Sequence, residues 1–150
     1  MDEESVTIAA TPERVWALVT DVTGMGRFSP GNTGGKWILG ASGPAQGARF
    51  IGFNKRGVMR WPTTCKVVEC EEPTRFAFQV AENKTQWGWR IEPTESGGTV
   101  LTQWRNRVGE PPAPMRLAAK LLFKGKIDEE MCDGMRSTLA AVKAEAEKGA

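Results

Sequence analysis

The chain has 150 residues, of which 40% are hydrophobic and 25% charged, a composition typical of one globular domain. This balance excludes an intrinsically disordered chain and a collagen-like one. The 20 basic and 18 acidic residues leave a net charge of +2, too little to indicate a nucleic-acid or membrane surface. We expect no nucleic-acid partner and no stable membrane insertion. Because the chain lacks histidine, catalytic systems with a His base and His-ligated metal sites are also excluded.

The three cysteines, Cys65, Cys70 and Cys132, form no CxxC pair, which argues against zinc and thioredoxin-type sites. Cys65 and Cys70 lie on one predicted extended segment, about 16 Å apart and beyond disulfide reach. The acidic start, Met1–Glu4, is unlike a signal peptide, and no apolar run approaches the roughly 20 residues of a membrane span. We therefore expect a cytoplasmic protein with free thiols, no metal and no cofactor.

The first predicted elements are a short strand around Val6 and Ile8 and an amphipathic helix that follows Thr11. Thr11 can cap this helix, and Pro12 suits its first turn. Apolar residues then recur at helical spacing and predict one buried face, with the helix ending near Gly24. These apolar residues are Val15, Leu18, Val19 and Val22.

A series of strands is predicted after a glycine-rich loop from Pro30 to Gly35. The connections between the strands are short and contain no helix, so neighbouring strands should pair antiparallel as a meander. The predicted strands cover residues 37–39, 48–54, 58–70, 75–81, 86–92 and 99–108.

The last predicted element is a long helix from Met115 to Ala150, with a possible kink at Gly125, after the proline-rich break at 110–114. It carries the only long apolar stripe, which consists of Ile127, Met131, Met135, Leu139 and Val142. An apolar sheet face must be covered by another layer. We therefore predict one α+β domain over residues 1–150, in which a curved antiparallel sheet of about seven strands surrounds this helix.

Four segments point to a known family. They are residues 8–16, residues 47–50 followed by Asn54, residues 61–68 and residues 72–78. With them the chain resembles the START-like superfamily, in its bacterial polyketide cyclase/dehydrase and lipid-transport branch, over nearly its whole length. The resemblance implies a helix-grip fold with a ligand cavity between the sheet and the C-terminal helix. Many relatives carry an acidic residue after the Ser-Pro of the early loop, whereas Gly31 follows Ser29 and Pro30 here, so a role of that acid does not carry over to this chain. The resemblance implies no single reaction.

Alternation along the predicted strands gives each strand one more apolar face, which should point toward the helix. These faces are Phe50, Gly52 and Asn54; Trp61, Thr63, Cys65 and Val67; Phe76, Phe78 and Val80; Trp87, Trp89 and Ile91; and Val100, Thr102, Trp104 and Asn106. Four indoles would then enter one enclosed space, where dense packing is difficult and each N–H needs a partner. A pocket for an apolar, partly polar ligand and a plain aromatic core both explain this pattern. The family resemblance favours the pocket.

The candidate ligand-binding residues combine aromatic walls, a polar anchor and adaptable methionines. They are Asn54, Trp61, Thr63, Phe78, Trp87, Trp89, Trp104, Met131 and Met135. The alternative is that Asn54 and Thr63 bond only the backbone and water and that both methionines are ordinary core.

No catalytic residue is predicted, because no two carboxylates share a convincing face and Cys65 is isolated on its strand. Glu69 and Glu82 share the inward phase but lie at strand ends, near solvent. The leading hypothesis is a binder or carrier of a small, mostly hydrophobic molecule such as a lipid, polyketide or isoprenoid-like compound. The alternative is a polyketide cyclase or dehydratase-type enzyme that acts mainly by positioning its substrate in the same cavity. A third hypothesis is a co-chaperone-like module, but no distinctive residue supports it. The sequence determines neither the ligand nor the oligomeric state.

Overall fold

The computed structural model describes residues 1–148, which form one seven-stranded antiparallel sheet, three α-helices and a short 3₁₀ helix. The strands are β1 (Asp2–Ile8), β2 (Asn32–Ile38), β3 (Arg49–Arg56), β4 (Met59–Glu71), β5 (Arg75–Val80), β6 (Thr85–Pro93) and β7 (Thr99–Arg107). The helices are α1 (Pro12–Val19), the 3₁₀ helix (Val22–Arg27), α2 (Ala113–Phe123) and α3 (Ile127–Glu147). The strand order is β1-β7-β6-β5-β4-β3-β2. Strands β2 to β7 form a meander, and β1 pairs with β7 at one edge of the sheet. The predicted α+β helix-grip architecture is confirmed.

The glycine-rich segment after Pro30 is not a simple loop, because β2 begins at Asn32 inside it. A register shift between Asn32 and Gly34 bends the strand, and Gly34 has a φ of +142°. A Cβ on Gly35 would lie 2.8 Å from the carbonyl oxygen of Val22. Glycine therefore lets β2 pass against the 3₁₀ helix at a distance that a side chain would prevent.

The predicted C-terminal helix is interrupted between Phe123 and Ile127 and forms two helices. Lys124 and Gly125 have φ values of +52° and +76°, and left-handed residues of this kind end a helix. The final two residues of the predicted helix, 149 and 150, lie outside the described part of the chain.

The hydrophobic core occupies one end of the sheet's inner face. There α1 contacts β6 and β7, and the C-terminal half of α3 packs against β1. Trp16 of α1 meets Phe76 edge-on at a centroid distance of 6.0 Å. Along α3, full burial begins only at Met135 and continues through Leu139, Val142 and Ala146. The helix therefore covers the sheet closely at its C-terminal end and leaves the sheet partly open at its N-terminal end.

The predicted inward face of the last strand is wrong. In the pairing of β6 with β7, Trp104 lies opposite Gly88, on the outer face of the sheet. The alternate residues Leu101, Gln103 and Arg105 point inward, because their partners on β1 are its inward residues. Counting apolar residues along β7 favoured the wrong face of the strand, because the residues that point inward include the amide of Gln103 and the guanidinium of Arg105. Thr102 and Asn106 face outward together with Trp104.

Candidate ligand-binding site

Two arginines tie the first turn of α3 to strands on opposite sides of the sheet. Arg56 at the end of β3 donates to Glu130 over 2.7 Å. Arg105 of β7 donates to Asp128 over 3.1 Å and to Asp2 over 2.5 Å. β3 and β7 are four strand positions apart, which is about 19 Å in a flat sheet. The sheet must therefore curl around the inner side of β4, β5 and β6 to bring both arginines to one helical turn.

We call the region of the inner sheet face between these two ion pairs the bridged cleft. It is bounded by the inner face of β4–β6, by the arginines at its two sides and by the first turns of α3 above. Its apolar lining is half-buried and consists of Trp61, Phe78, Trp87 and Met131. Large apolar side chains that remain half-buried leave surface for a partner to cover.

Aromatic packing orders the sheet side of the bridged cleft. Phe78 lies 5.1 Å from Phe50 between ring centroids, and Phe50 lies 5.4 Å from Trp37 on β2. The Arg105 guanidinium lies 5.9 Å from the Trp87 ring centroid, near enough for a cation–π contact. Trp37 is an inward residue that the sequence analysis missed, because the pattern predicts a strand only from that residue onward.

Asn54 and Thr63 face inward as predicted, but they bond to the protein itself. Asn54 Nδ2 donates to the carbonyl oxygen of Trp61 and to Thr63 Oγ1, both over 3.1 Å. These bonds fix the end of the β3–β4 pair and agree with the alternative reading of both residues. Only Asn54 Oδ1 is left to serve as an anchor.

Gln103 is an inward polar residue that the sequence analysis also missed. It lies on the inner face of β7, between Glu4 of β1 and Trp89 of β6, and one inward position deeper than Arg105. The residue is 9% exposed, and its Oε1 has no hydrogen-bond donor among the described residues. A buried acceptor without a donor destabilises a fold by about 1–3 kcal/mol. Gln103 Oε1 is therefore an unsatisfied acceptor on the inner face, next to Arg105 at the side of the bridged cleft.

The inward thiol carries no nucleophilic chemistry at neutral pH. Burial raises the pKa of Cys65 to about 12, so the thiol stays protonated. All three cysteines are free thiols, as expected. The expected inward position of Glu69 is wrong, since a register shift between Val67 and Glu69 turns this carboxylate to the outer face opposite Ala77.

The structure divides the nine candidate residues into three groups. Asn54, Trp61, Thr63, Phe78, Trp87 and Met131 lie on the inner side around the bridged cleft. Trp89 and Met135 are 2% and 1% exposed and belong to the packed core, while Trp104 lies on the outer face. The expected enclosure by four indoles is therefore wrong. That the six cleft residues contact a ligand stays a prediction.

Two open surface depressions lie elsewhere on the molecule. One, of about 490 Å³, is lined by residues between Leu39 and Ala48. The other, of about 420 Å³, lies at the edge of β5 and β6 beside Arg75 and Arg90. Neither is lined by a candidate residue, and both are open to solvent, unlike the enclosed pockets that bury a small ligand.

Comparison with protein families identifies this architecture. The model of the polyketide cyclase / dehydrase and lipid transport family matches residues 3–147. The chain belongs to this family. The predicted resemblance is thereby confirmed, and membership of the family supports a fold that binds hydrophobic ligands. No curated protein matches the chain significantly.

Solved structures of similar proteins span nearly the whole chain. A polyketide-cyclase-like protein of Corynebacterium glutamicum is 30% identical, with a TM-score of 0.63 over 97% of this chain and 90% of its own. A protein of Thermus thermophilus is 18% identical, with a TM-score of 0.69 over 99% and 97% of the two chains. The di-domain ARO/CYC StfQ of the steffimycin biosynthetic pathway is 12% identical, with a TM-score of 0.70 over 99% of this chain and 45% of its own. The latter two show the fold alone.

Proposed function

We propose that this family member binds and carries a small, mostly hydrophobic molecule in the bridged cleft, such as a lipid, polyketide or isoprenoid-like compound. The observation that carries the proposal is the half-buried set Trp61, Phe78 and Trp87 on three adjacent strands beneath the partly exposed start of α3. Covering such surface stabilises a complex by roughly 25 cal/mol per Å². The free thiols suit a reducing compartment, so we propose the cytoplasm as the site of action.

Gln103 gives the bound molecule an orientation. Its unpartnered Oε1 accepts a hydrogen bond, so the complementary ligand carries a hydroxyl or amide donor at its inner end. A ligand without a donor would leave Oε1 unsatisfied and bind more weakly. The apolar remainder of the ligand then lies outward along Trp87 and Phe78.

Carriage is favoured over catalysis by the ionisable groups on the inner face. The Cys65 thiol is protonated at neutral pH because its pKa is raised to about 12. Arg105 is already paired with Asp2 and Asp128, so its charge is balanced within the protein. Turnover of a poly-β-keto substrate by the purified protein would overturn this choice in favour of the cyclase-type enzyme.

The test uses two aromatic probes that differ in one hydrogen-bond donor, 2-naphthol and 2-methoxynaphthalene. Saturable quenching of tryptophan fluorescence measures the Kd of each probe. We expect 2-naphthol to bind at least about fivefold more tightly, because one hydrogen bond contributes about 1 kcal/mol. In Gln103→Met this preference should disappear, since the thioether accepts hydrogen bonds only weakly. Absence of saturable binding by either probe contradicts the proposal.

Trp87→Ala and Trp104→Ala form a matched pair, because the two indoles lie on neighbouring strands but on opposite faces of the sheet. We expect the first substitution to weaken 2-naphthol binding at least about tenfold through lost apolar contact. The second should leave the Kd unchanged. Equal effects of the two substitutions on the Kd would show that the bridged cleft is not the binding site. Thermal melts of both variants verify that they fold.

A further inference from the structure

We propose that α2 and the β3–β4 turn form a surface that docks on anionic lipid bilayers. α2 has no buried residue, and two of its leucines, Leu117 and Leu121, are 59% and 71% exposed. The β3–β4 turn adds Val58 and Met59, which are 97% and 48% exposed. We call these four side chains and the basic residues of the two segments the docking face.

The two segments lie side by side in the structure. Arg56, the last residue of β3, donates from Nη2 to the carbonyl oxygen of Leu122 over 3.2 Å. Its guanidinium carbon also lies 4.5 Å from the Phe123 ring centroid. Arg56 pairs with Met59 at the end of the hairpin, so the turn at Gly57 and Val58 directly adjoins the C-terminal end of α2. The exposed apolar residues therefore belong to one region of the surface.

The positive charge of the docking face favours an anionic lipid surface as its partner. Residues 53–62 and 111–127 contain seven basic residues and no acidic one, whereas the remainder of the chain has 13 basic against 18 acidic residues. The seven are Lys55, Arg56, Arg60, Arg116, Lys120, Lys124 and Lys126. Arg56 pairs with Glu130 and Arg116 with Glu110. The small net charge of the whole chain thus conceals a local excess that is complementary to acidic headgroups.

The arrangement of leucine and lysine on α2 suits the bilayer interface. Leu117, Lys120, Leu121 and Lys124 recur at spacings of three and four, so they share one face of the helix. Leucines can enter the boundary between headgroups and acyl chains while lysines reach the acidic headgroups. None of the helices formed by residues 1–148 is both long and apolar enough to cross a bilayer. An amphipathic helix of this kind lies in the plane of the interface, so the expected mode of binding is peripheral and reversible.

Vesicle co-sedimentation of the full chain tests the docking face. Vesicles of phosphatidylcholine alone are compared with vesicles of equal parts phosphatidylcholine and phosphatidylglycerol, at low and at high salt. We expect the protein to bind only the acidic vesicles, and we expect this binding to decrease strongly at high salt. Lys120→Gln with Lys126→Gln should weaken partitioning roughly 25-fold, since each lysine contributes a factor of about five. No binding to the acidic vesicles overturns the proposal.

The controls separate location from overall charge and hydrophobicity. Leu117→Ser with Leu121→Ser should abolish vesicle binding, whereas Leu39→Ser, at an 82% exposed leucine beyond β2, should not. Lys36→Gln with Lys66→Gln removes the same charge from exposed positions on β2 and β4 and should have little effect. Equal loss in the test and control variants overturns the proposal. The proposal is also overturned if the protein forms a dimer without lipid and the double leucine variant is monomeric, because the docking face would then bind a second copy of the chain.

Discussion

Gly88 and Trp104 form one packing unit on the outer face of the sheet. They lie directly opposite each other on β6 and β7, and the indole covers the position that a side chain at Gly88 would occupy. A Cβ there would lie 2.1 Å from the ring. Glycine is therefore required at this position by a close approach within the sheet. The pair also explains how a large aromatic residue on the outer face remains half-buried.

Gly88→Ala should lower the free energy of unfolding by about 1–3 kcal/mol, because the methyl group displaces the indole. In a Trp104→Ala background the same substitution should be nearly neutral, since the clash is gone. Urea denaturation of the two single variants and the double variant measures this coupling. Gly31→Ala, where a Cβ meets nothing within 4 Å, is the control. An equal loss in both backgrounds would return Trp104 to the inner face.

At the scale of elements, the break between α2 and α3 positions the start of α3 over the bridged cleft. Lys124 and Gly125 reverse the chain with positive φ values, and the amide of Gly125 donates to the carbonyl oxygen of Lys120 over 3.2 Å. This bond satisfies one of the carbonyls left open at the end of α2. Without the break, a single straight helix would carry residues of the docking face away from the β3–β4 turn.

Gly125→Ala should lower the free energy of unfolding by about 1–2 kcal/mol, the energy an L residue loses in the left-handed region. The added Cβ meets nothing within 4 Å, so the loss reports the backbone alone. Gly43→Ala has equally open space without a positive φ and should be neutral or slightly stabilising. Chemical denaturation followed by circular dichroism compares the two variants, and similar values for both would contradict the assigned backbone conformation.

The elements were largely predictable because turn residues and helix-forming runs are local signals. Thr11 indeed caps α1 by accepting from the Arg14 amide, and the Pro-rich break precedes α2 as expected. Gly125 was recognised as a weak point, but a single glycine does not distinguish a kink from a break. The phase of β7 was not predictable from its own composition, because it depends on Gly88 in the neighbouring strand. For the same reason, the inward position of Gln103 was not predictable.

At the scale of the whole molecule, the two ends of the sheet's inner face differ in how they are held. At the closed end, Leu139 and Val142 are buried against the sheet and α1. At the open end, the start of α3 is tied mainly by Arg56 and Arg105, through ion pairs to partly or largely exposed carboxylates. Such pairs contribute about 0–1 kcal/mol each, far less than apolar burial. Opening of the bridged cleft should therefore precede global unfolding.

Hydrogen exchange measured on Asp128→Asn combined with Glu130→Gln tests this difference directly. We expect amides 131–135 to exchange about tenfold faster, because both ties to the sheet are lost while each contributed a fraction of a kcal/mol. Amides 139–146 and the melting temperature should change little, since the closed end is untouched. Asp133→Asn removes an ion pair within α3, to Arg136, and should leave the exchange of amides 131–135 near its original rate. Uniform acceleration along α3 would mean that the helix opens as one unit, and the cleft could then admit a ligand only by exposing the core.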